Sequence, residues 1–362
     1  MFSNYISSES FYNNFKLFKS NHTLITELGD SINELQIGYH TYGTYQKNKS
    51  KVVWVCHALT GNSDVFDWWN GLFGEGKLFN PNDYFIICAN VIGSSYGYSG
   101  PISEKSEGGI LNEKFPLVTP RDMANAHEVL RKELGIEKID ILIGASLGGQ
   151  QALEWSIKLK ENVKQLILIA TNAQHSPFGI AFNESQRMAI KNDSTFGCGY
   201  LDDAQKGLGV ARSIAMISYR SYSGYGKTQK EEDSAKINDF KASSYQRYQG
   251  QKLAKRFNAY AYLRLTEAMD AHNVGRNRGG VIKALSYVKA KTLVIGIDSD
   301  LLFPISEQQF LKEYIQGAFF KSISSDFGHD GFLVENEQLI EILEDFINND
   351  FNKNKITVFK QK

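Results

Sequence analysis

Ile139-Asp-Ile-Leu-Ile-Gly144-Ala145-Ser146-Leu147-Gly148-Gly149 decides the fold of this chain. An apolar run reads as a buried strand, and Leu147–Lys160 reads as a helix that leaves it directly. Between them stands Gly-x-Ser-x-Gly. A serine on so sharp a turn is lifted above the sheet edge. The flanking glycines make room, because a Cβ would clash where the helix departs over its own strand. The N–H of Leu147 then opens a helix, where donors are unpaired and the dipole favours negative charge. The order strand, Gly-x-Ser-x-Gly, helix therefore reads Ser146 as a nucleophile and Leu147 N–H as an oxyanion donor. A bare Gly-x-Ser-x-Gly would carry far less.

Four further runs rich in Val, Ile and Leu read as strands covered on both faces: Val52–Cys56, Tyr84–Ala89, Leu166–Ala170 and Thr292–Ile297. Asp122–Leu134 reads as a helix, starting after Thr119-Pro120 and stopping at Gly135. Strand alternating with helix predicts an α/β fold with a mostly parallel sheet and helices on both faces. Leu24–Leu28 and Glu34–Thr41 flank Gly-Asp-Ser and read as an N-terminal antiparallel hairpin. From Ala173 to about Ala290 no strand run appears. Ala204–Tyr222 and Leu253–Ala271 read as helices there, and Gly224–Ser234 as a polar loop. The predicted organisation is core (residues 1–172), helical lid insertion (173–290), then core again (291–362). Asn352–Lys362 reads as a loosely packed tail.

A serine nucleophile needs an acid and then a histidine. Asp298 and Asp300 follow the late strand Thr292–Ile297, at the level of Ser146. Spacing barely separates the two. His329, in Asp326-Phe-Gly-His329-Asp330-Gly331, lies 29 residues after Asp300 and is the histidine in a glycine-flanked loop beyond the last acid-bearing strand. His22 and His40 precede the nucleophile in the hairpin, His127 sits in a helix, and His175 and His272 lie in the insertion. A second oxyanion donor belongs on the turn after an early strand. Val52-Val-Trp-Val-Cys56-His57-Ala58-Leu59-Thr60-Gly61 supplies it, with Leu59 N–H as the candidate. His57 reads as a strand-end residue shaping that turn, since catalysis already has a base.

Composition removes whole classes. The 362 residues carry 40 Lys+Arg against 40 Asp+Glu, so no net charge draws the chain to nucleic acid. No apolar run approaches the ~18–20 residues of a membrane span. Met1–Ser10 has neither the basic nor the apolar part of a secretory signal. Cys56, Cys88 and Cys198 are an odd number without a Cys-x-x-Cys pair, which excludes a disulfide framework or cysteine zinc site and fits a reducing cytoplasm. Cys56 and Cys88, inside apolar runs, read as buried and inert.

Several segments together resemble one family. His57-Ala-Leu-Thr-Gly61, Trp68-Trp-Asn-Gly-Leu72, Ile87-Cys-Ala-Asn90, Phe115-Pro-Leu-Val-Thr119 with Arg121-Asp-Met123, Gln151-Ala-Leu-Glu-Trp155, Ala211-Arg-Ser-Ile-Ala-Met216, Tyr219-Arg-Ser221, Ser299-Asp-Leu-Leu-Phe303 and Gly328-His-Asp330 are similar to the homoserine O-acetyltransferases of the α/β-hydrolase superfamily. The resemblance spans about Lys16 to Asn349. Ala145 and Leu147 depart from it, standing where the family often has Gly and Met. It implies an α/β-hydrolase fold, Asp300 as the third triad member, and acetyl transfer from acetyl-CoA to L-homoserine without a metal or resident cofactor. It further implies Arg212 for the substrate carboxylate, Asp330 for its ammonium, and a homodimer built through the insertion. Tyr219, seven residues after Arg212, lies on the same helix face and within reach of that pocket. The competing readings are a homoserine O-succinyltransferase, a serine O-acyltransferase or an esterase on the same scaffold. A succinyl donor calls for one more buried cation near the nucleophile.

Overall fold

Val, Ile and Leu at consecutive positions leave a strand no polar face, so it must be covered on both sides. In the computed structural model, which describes residues 13–97, 99–104 and 109–348, the five apolar runs become five adjacent strands of an eight-stranded sheet. The strands are β1 (Phe15–Lys19), β2 (Leu24–Ile25), β3 (Ser31–Ile32), β4 (Gln36–Tyr42), β5 (Lys51–Cys56), β6 (Tyr84–Ala89), β7 (Ile139–Ala145), β8 (Val163–Ile169), β9 (Lys291–Ile297) and β10 (Phe319–Ile323). The large sheet runs β1-β4-β6-β5-β7-β8-β9-β10, and β2 pairs with β3 in a separate small sheet. β4 is antiparallel to both neighbours, while the remaining pairs are parallel.

The helices are α1 (Val65–Trp68), α2 (Pro120–Glu133), α3 (Leu147–Leu159), α4 (Pro177–Lys191), α5 (Gln205–Tyr219), α6 (Tyr222–Thr228), α7 (Lys241–Ala254), α8 (Ala259–Asp270), α9 (Val281–Leu285), α10 (Ile305–Tyr314), α11 (Gly331–Val334) and α12 (Asn336–Ile347). Alternation along β5 splits the core into two layers. Val52, Trp54 and Cys56 face α2 and α3, and Val53 and Val55 face α1 and α12. Trp54 meets Trp155 of α3 edge-on, ring centres 4.8 Å apart. The start of α2 follows from its sequence: Thr119 and Asp122 form a capping box around Pro120 in the first turn.

Three local expectations change. The partner of β4 is Phe15–Lys19 and not Leu24–Leu28, which contributes only the two-residue β2. Polar residues of β1 hid its strand character. Residues 253–271 are not one helix. Asn258 caps α8 by accepting from Ala261 N–H, so the chain breaks between α7 and α8. The stretch read as a loop at Gly224–Ser234 begins inside α6, capped by Ser221. Between β8 and β9 the described residues contain six helices and no strand. The expected tail, Asn352–Lys362, lies outside the described residues.

Candidate active site

Ser146 stands between β7 and α3 with φ 56° and ψ −127°, a conformation side chains avoid. Close packing imposes it. A Cβ on Gly144 would sit 2.2 Å from the carbonyl oxygen of Gly148, and one on Gly148 would sit 2.0 Å from that of Cys56. Only glycines let α3 lie this near β5 and β7. Backbone bonds hold the turn: Ser146 N–H donates to Ile169 O at 3.0 Å, and Thr171 Oγ1 donates to Ser146 O at 2.9 Å. The Ser146 hydroxyl makes no cap bond to its helix. The N–H groups of Leu147 and Leu59 form no hydrogen bond within the described structure.

His329 Nδ1 lies 2.7 Å from Asp300 Oδ2. A carboxylate only accepts, so Nδ1–H donates and Nε2 carries the lone pair. Asp300 is itself fixed, its Oδ1 accepting from the N–H groups of Leu302 and Phe303 at 2.8 and 2.9 Å. The His329 ring packs among Tyr219, Phe303 and Phe332, with centroids 5.7, 5.1 and 5.6 Å away. Burial pulls its pKa down, but the charge and hydrogen bond of Asp300 outweigh this and leave it above the ordinary histidine value. Asp298, the rival acid, is exposed and accepts from Ser325 N–H at 3.1 Å. Geometry thus separates two residues that spacing barely did.

One cavity of about 170 Å³ is lined by Ser146, His329, Leu59, Arg212, Tyr219 and Asp330, all expected from the sequence. Leu147 is not among the lining residues, although its N–H is adjacent to Ser146. The Arg212 guanidinium lies 5.1 Å from the Tyr219 ring centre and forms no ion pair with a described carboxylate. Asp330 is held by Arg220, Nη2 to Oδ2 3.4 Å. His57 is fully buried, its Nδ1–H donating to Ala58 O at 2.8 Å and its Nε2 accepting from Val91 N–H at 3.1 Å. Burial lowers its pKa to about 4, and the neutral ring ties the turn, through Nδ1–H, to the loop after β6, through Nε2. Cys56 and Cys88 are buried, and burial raises both thiol pKa values.

Sequence reasoning missed two cations here. Arg220 follows Tyr219 and touches Asp330. Arg256, in the turn between α7 and α8, lines the cavity. The N-capping residue Asn258 was the available signal. It splits the helix and places Arg256 in a turn. Among the described residues no group of three or more His, Cys, Asp or Glu side chains is placed to hold a metal ion.

The family described as the alpha/beta hydrolase fold matches residues 51–336. The homoserine O-acetyltransferase of Cyclobacterium marinum is 47% identical over 332 residues, which cover 91% of this chain and 94% of that protein. The crystal structure of homoserine O-acetyltransferase from Staphylococcus aureus is 30% identical, covers 96% of this chain and 98% of its own, and superposes with a TM-score of 0.74. The structure of esterase E22, at 23% identity, covers 92% of this chain and 99% of its own with a TM-score of 0.85, a likeness of fold. With its strand–turn–helix at Ser146, its sheet order and these relatives, the chain belongs to the homoserine O-acetyltransferase family of α/β hydrolases.

Proposed function

We propose that the protein moves an acetyl group from acetyl-CoA to the hydroxyl of L-homoserine, giving O-acetyl-L-homoserine and CoA on the way to methionine. The observation that carries this reading is one cavity in which Ser146 and His329 share walls with Asp330 and with Arg212, a cation that pairs with no carboxylate among the described residues. An ester hydrolase needs no such pair. A zwitterionic acceptor does.

In the first step His329 Nε2 takes the Ser146 proton, and Oγ attacks the thioester carbonyl. The N–H groups of Leu59 and Leu147 hold the oxyanion, which collapses with loss of CoA as the thiol. In the second step Arg212 takes the homoserine carboxylate in its guanidinium fork, and Asp330 takes the ammonium. The substrate hydroxyl is then presented to the acyl-enzyme. His329 removes its proton, the hydroxyl oxygen bonds to the acetyl carbon, and His329 returns the proton to Ser146 Oγ as the acyl–serine bond breaks. Asp300 keeps the imidazole in one tautomer throughout. Orientation by two charged groups gives the acceptor its advantage over water. Acetyl-CoA is a co-substrate, and no step calls on a metal or a resident cofactor.

Two further properties belong to this reading. The first is a homodimer through the insertion, supported by Val210 and Ile217 of α5 and by Tyr222 and Tyr248, all exposed apolar side chains. The second is a cytoplasmic setting. No helix among the described residues is long and apolar enough to cross a membrane.

Thiol release measured with acetyl-CoA or succinyl-CoA, each with homoserine, serine or no acceptor, tests the function. Fast release is expected with acetyl-CoA plus homoserine alone, and a loss of at least about 10⁴-fold in Ser146→Ala. Equal release without acceptor would make the protein a thioesterase and remove the roles given to Arg212 and Asp330.

A further inference from the structure

The cavity holds a charged group that this reaction scheme leaves idle. Arg256 lines it beside Ser146 but belongs to the insertion. Its Nη1 donates to the backbone oxygen of Thr60 at 2.9 Å and to the Tyr96 hydroxyl at 2.8 Å. Tyr96 donates in return to the backbone oxygen of Arg256, also at 2.8 Å. Two residues further on, Asn258 N–H donates to Ser95 Oγ at 2.9 Å. The turn between α7 and α8 is therefore bolted to two loops of the core. Both acceptors of the guanidinium are neutral, and Asp67 feels its charge only at longer range.

Thr60 is no ordinary acceptor, because it lies in the turn that carries Leu59. Ala58–Gly61 is closed by Gly61 N–H donating to Ala58 O at 2.9 Å. His57 Nδ1–H donates to the same oxygen at 2.8 Å and anchors that end of the turn. Arg256 grips the other end through Thr60. A charge-assisted bond to a carbonyl is strong and directional, and it fixes the orientation of the peptide that bears it. In a closed four-residue turn the two central residues cannot rotate independently. What holds Thr60 therefore holds Leu59, whose N–H has no acceptor among the described residues.

We infer that Arg256 is a positioning residue for acyl transfer: it reaches from the helical insertion to hold the Ala58–Gly61 turn so that Leu59 N–H meets the oxyanion. This rests on the acyl-enzyme reading proposed above. Insertion and oxyanion hole are then one unit, and the carbonyl chemistry depends on a side chain that touches no reacting atom. The bonds Arg256 makes are spent on protein acceptors, which favours positioning over capture of a CoA phosphate or a second carboxylate.

Acylation by two donors tests this. Acetyl-CoA is polyanionic, and p-nitrophenyl acetate carries no anion. Their single-turnover acylation rates are measured in the full-length protein and in Arg256→Met, Arg256→Lys, Tyr96→Phe and Ser146→Ala, together with the KM for homoserine. Arg256→Met is expected to slow acylation by both donors by the same factor, about 10- to 100-fold, comparable to or less than removal of one oxyanion donor. Homoserine KM stays within about twofold, because the clamp is untouched. Arg256→Lys recovers part of the rate, and Tyr96→Phe, which loosens the brace but keeps the charge, loses a smaller factor in the same step. If Arg256→Met does not fold, Tyr96→Phe decides alone. A loss confined to acetyl-CoA would overturn the inference in favour of a donor-phosphate site. A loss confined to homoserine KM would make Arg256 a substrate ligand, and unchanged rates in a folded variant would remove any role. Acylation persisting in Ser146→Ala would strike the acyl-enzyme reading itself, separately from Arg256.

Discussion

His329 is 3% exposed, and burial alone would pull an imidazolium pKa below its ordinary 6.5. Asp300 reverses this through its charge and hydrogen bond, with a smaller part from the charge of Asp330. The sign matters for catalysis. A general base must be neutral, so the rate falls as pH drops through a pKa that has been raised. The acid limb of kcat/KM is therefore expected above pH 6.5. In Asp300→Asn the larger raising contributions vanish, only that of Asp330 remains, and the tautomer is no longer held. The rate should fall by about 10⁴ at neutral pH, with the acid limb of the residual activity shifted to lower pH. A pH–rate profile of the two proteins checks both parts, and an unshifted limb would contradict the assignment of Asp300.

The strand–turn–helix element at Ser146 stores strain in one backbone position. Its φ of 56° has a steric cost for any residue with a Cβ, on the order of 1–3 kcal/mol. Ser146→Ala and Ser146→Gly both lose the hydroxyl and both should be inactive. Only glycine relieves the strain, while it gains some unfolded-chain entropy. Ser146→Gly is expected to be more stable than Ser146→Ala by about 1 kcal/mol, read from urea midpoints of the two. This element was the most legible part of the sequence, because buried strand, small residues and helix start are all local signals. Leu24–Leu28 failed for a matching reason. A short apolar run beside Gly-Asp-Ser looks like a hairpin arm, yet pairing with β4 was decided by which segment could reach it in space.

Across the molecule, the insertion is tied to the core by charge as well as by Arg256. Arg121 of α2 pairs with Glu27 and with Glu154 of α3, while Arg276 reaches Glu27 and Arg278 reaches Glu154. Glu154 is 2% exposed, so losing its partner leaves a charge poorly solvated. Arg121→Met is expected to destabilise the protein by about 3 kcal/mol in urea unfolding, partly compensated by the arginines that remain. Acid should act on the whole fold through four buried histidines. Burial lowers His57 to about 4 and His127, His175 and His272 to about 3, so the native state binds fewer protons than the unfolded one below pH 6.5. Stability from these groups is full above pH 6.5 and is lost as pH falls toward 3. At pH 5 that loss is about 2 kcal/mol for each histidine by proton linkage. His329, with its raised pKa, works weakly the other way. Unfolding free energies measured at pH 7 and pH 5 should differ by several kcal/mol, a large share of a typical domain's total. Equal values would mean these imidazoles are not neutral in the folded protein.

By itself the sequence determined the parallel core, the glycine-flanked turn at Ser146, and the helical character of residues 173–290. Each of these follows from patterns within a few neighbouring residues: apolar runs, glycines around a serine, caps at helix ends. Spacing left Asp298 and Asp300 open until the resemblance chose Asp300, and tertiary structure alone decided that His57 Nε2 reaches Val91, that Arg220 braces Asp330, and that Arg256 enters the cavity. Those choices join positions as far apart as Thr60 and Arg256, 196 residues along the chain. Local propensity carries no information about such meetings. They are set by how the insertion's helices seat on the sheet, through packing and paired charges that exist only once the chain has folded.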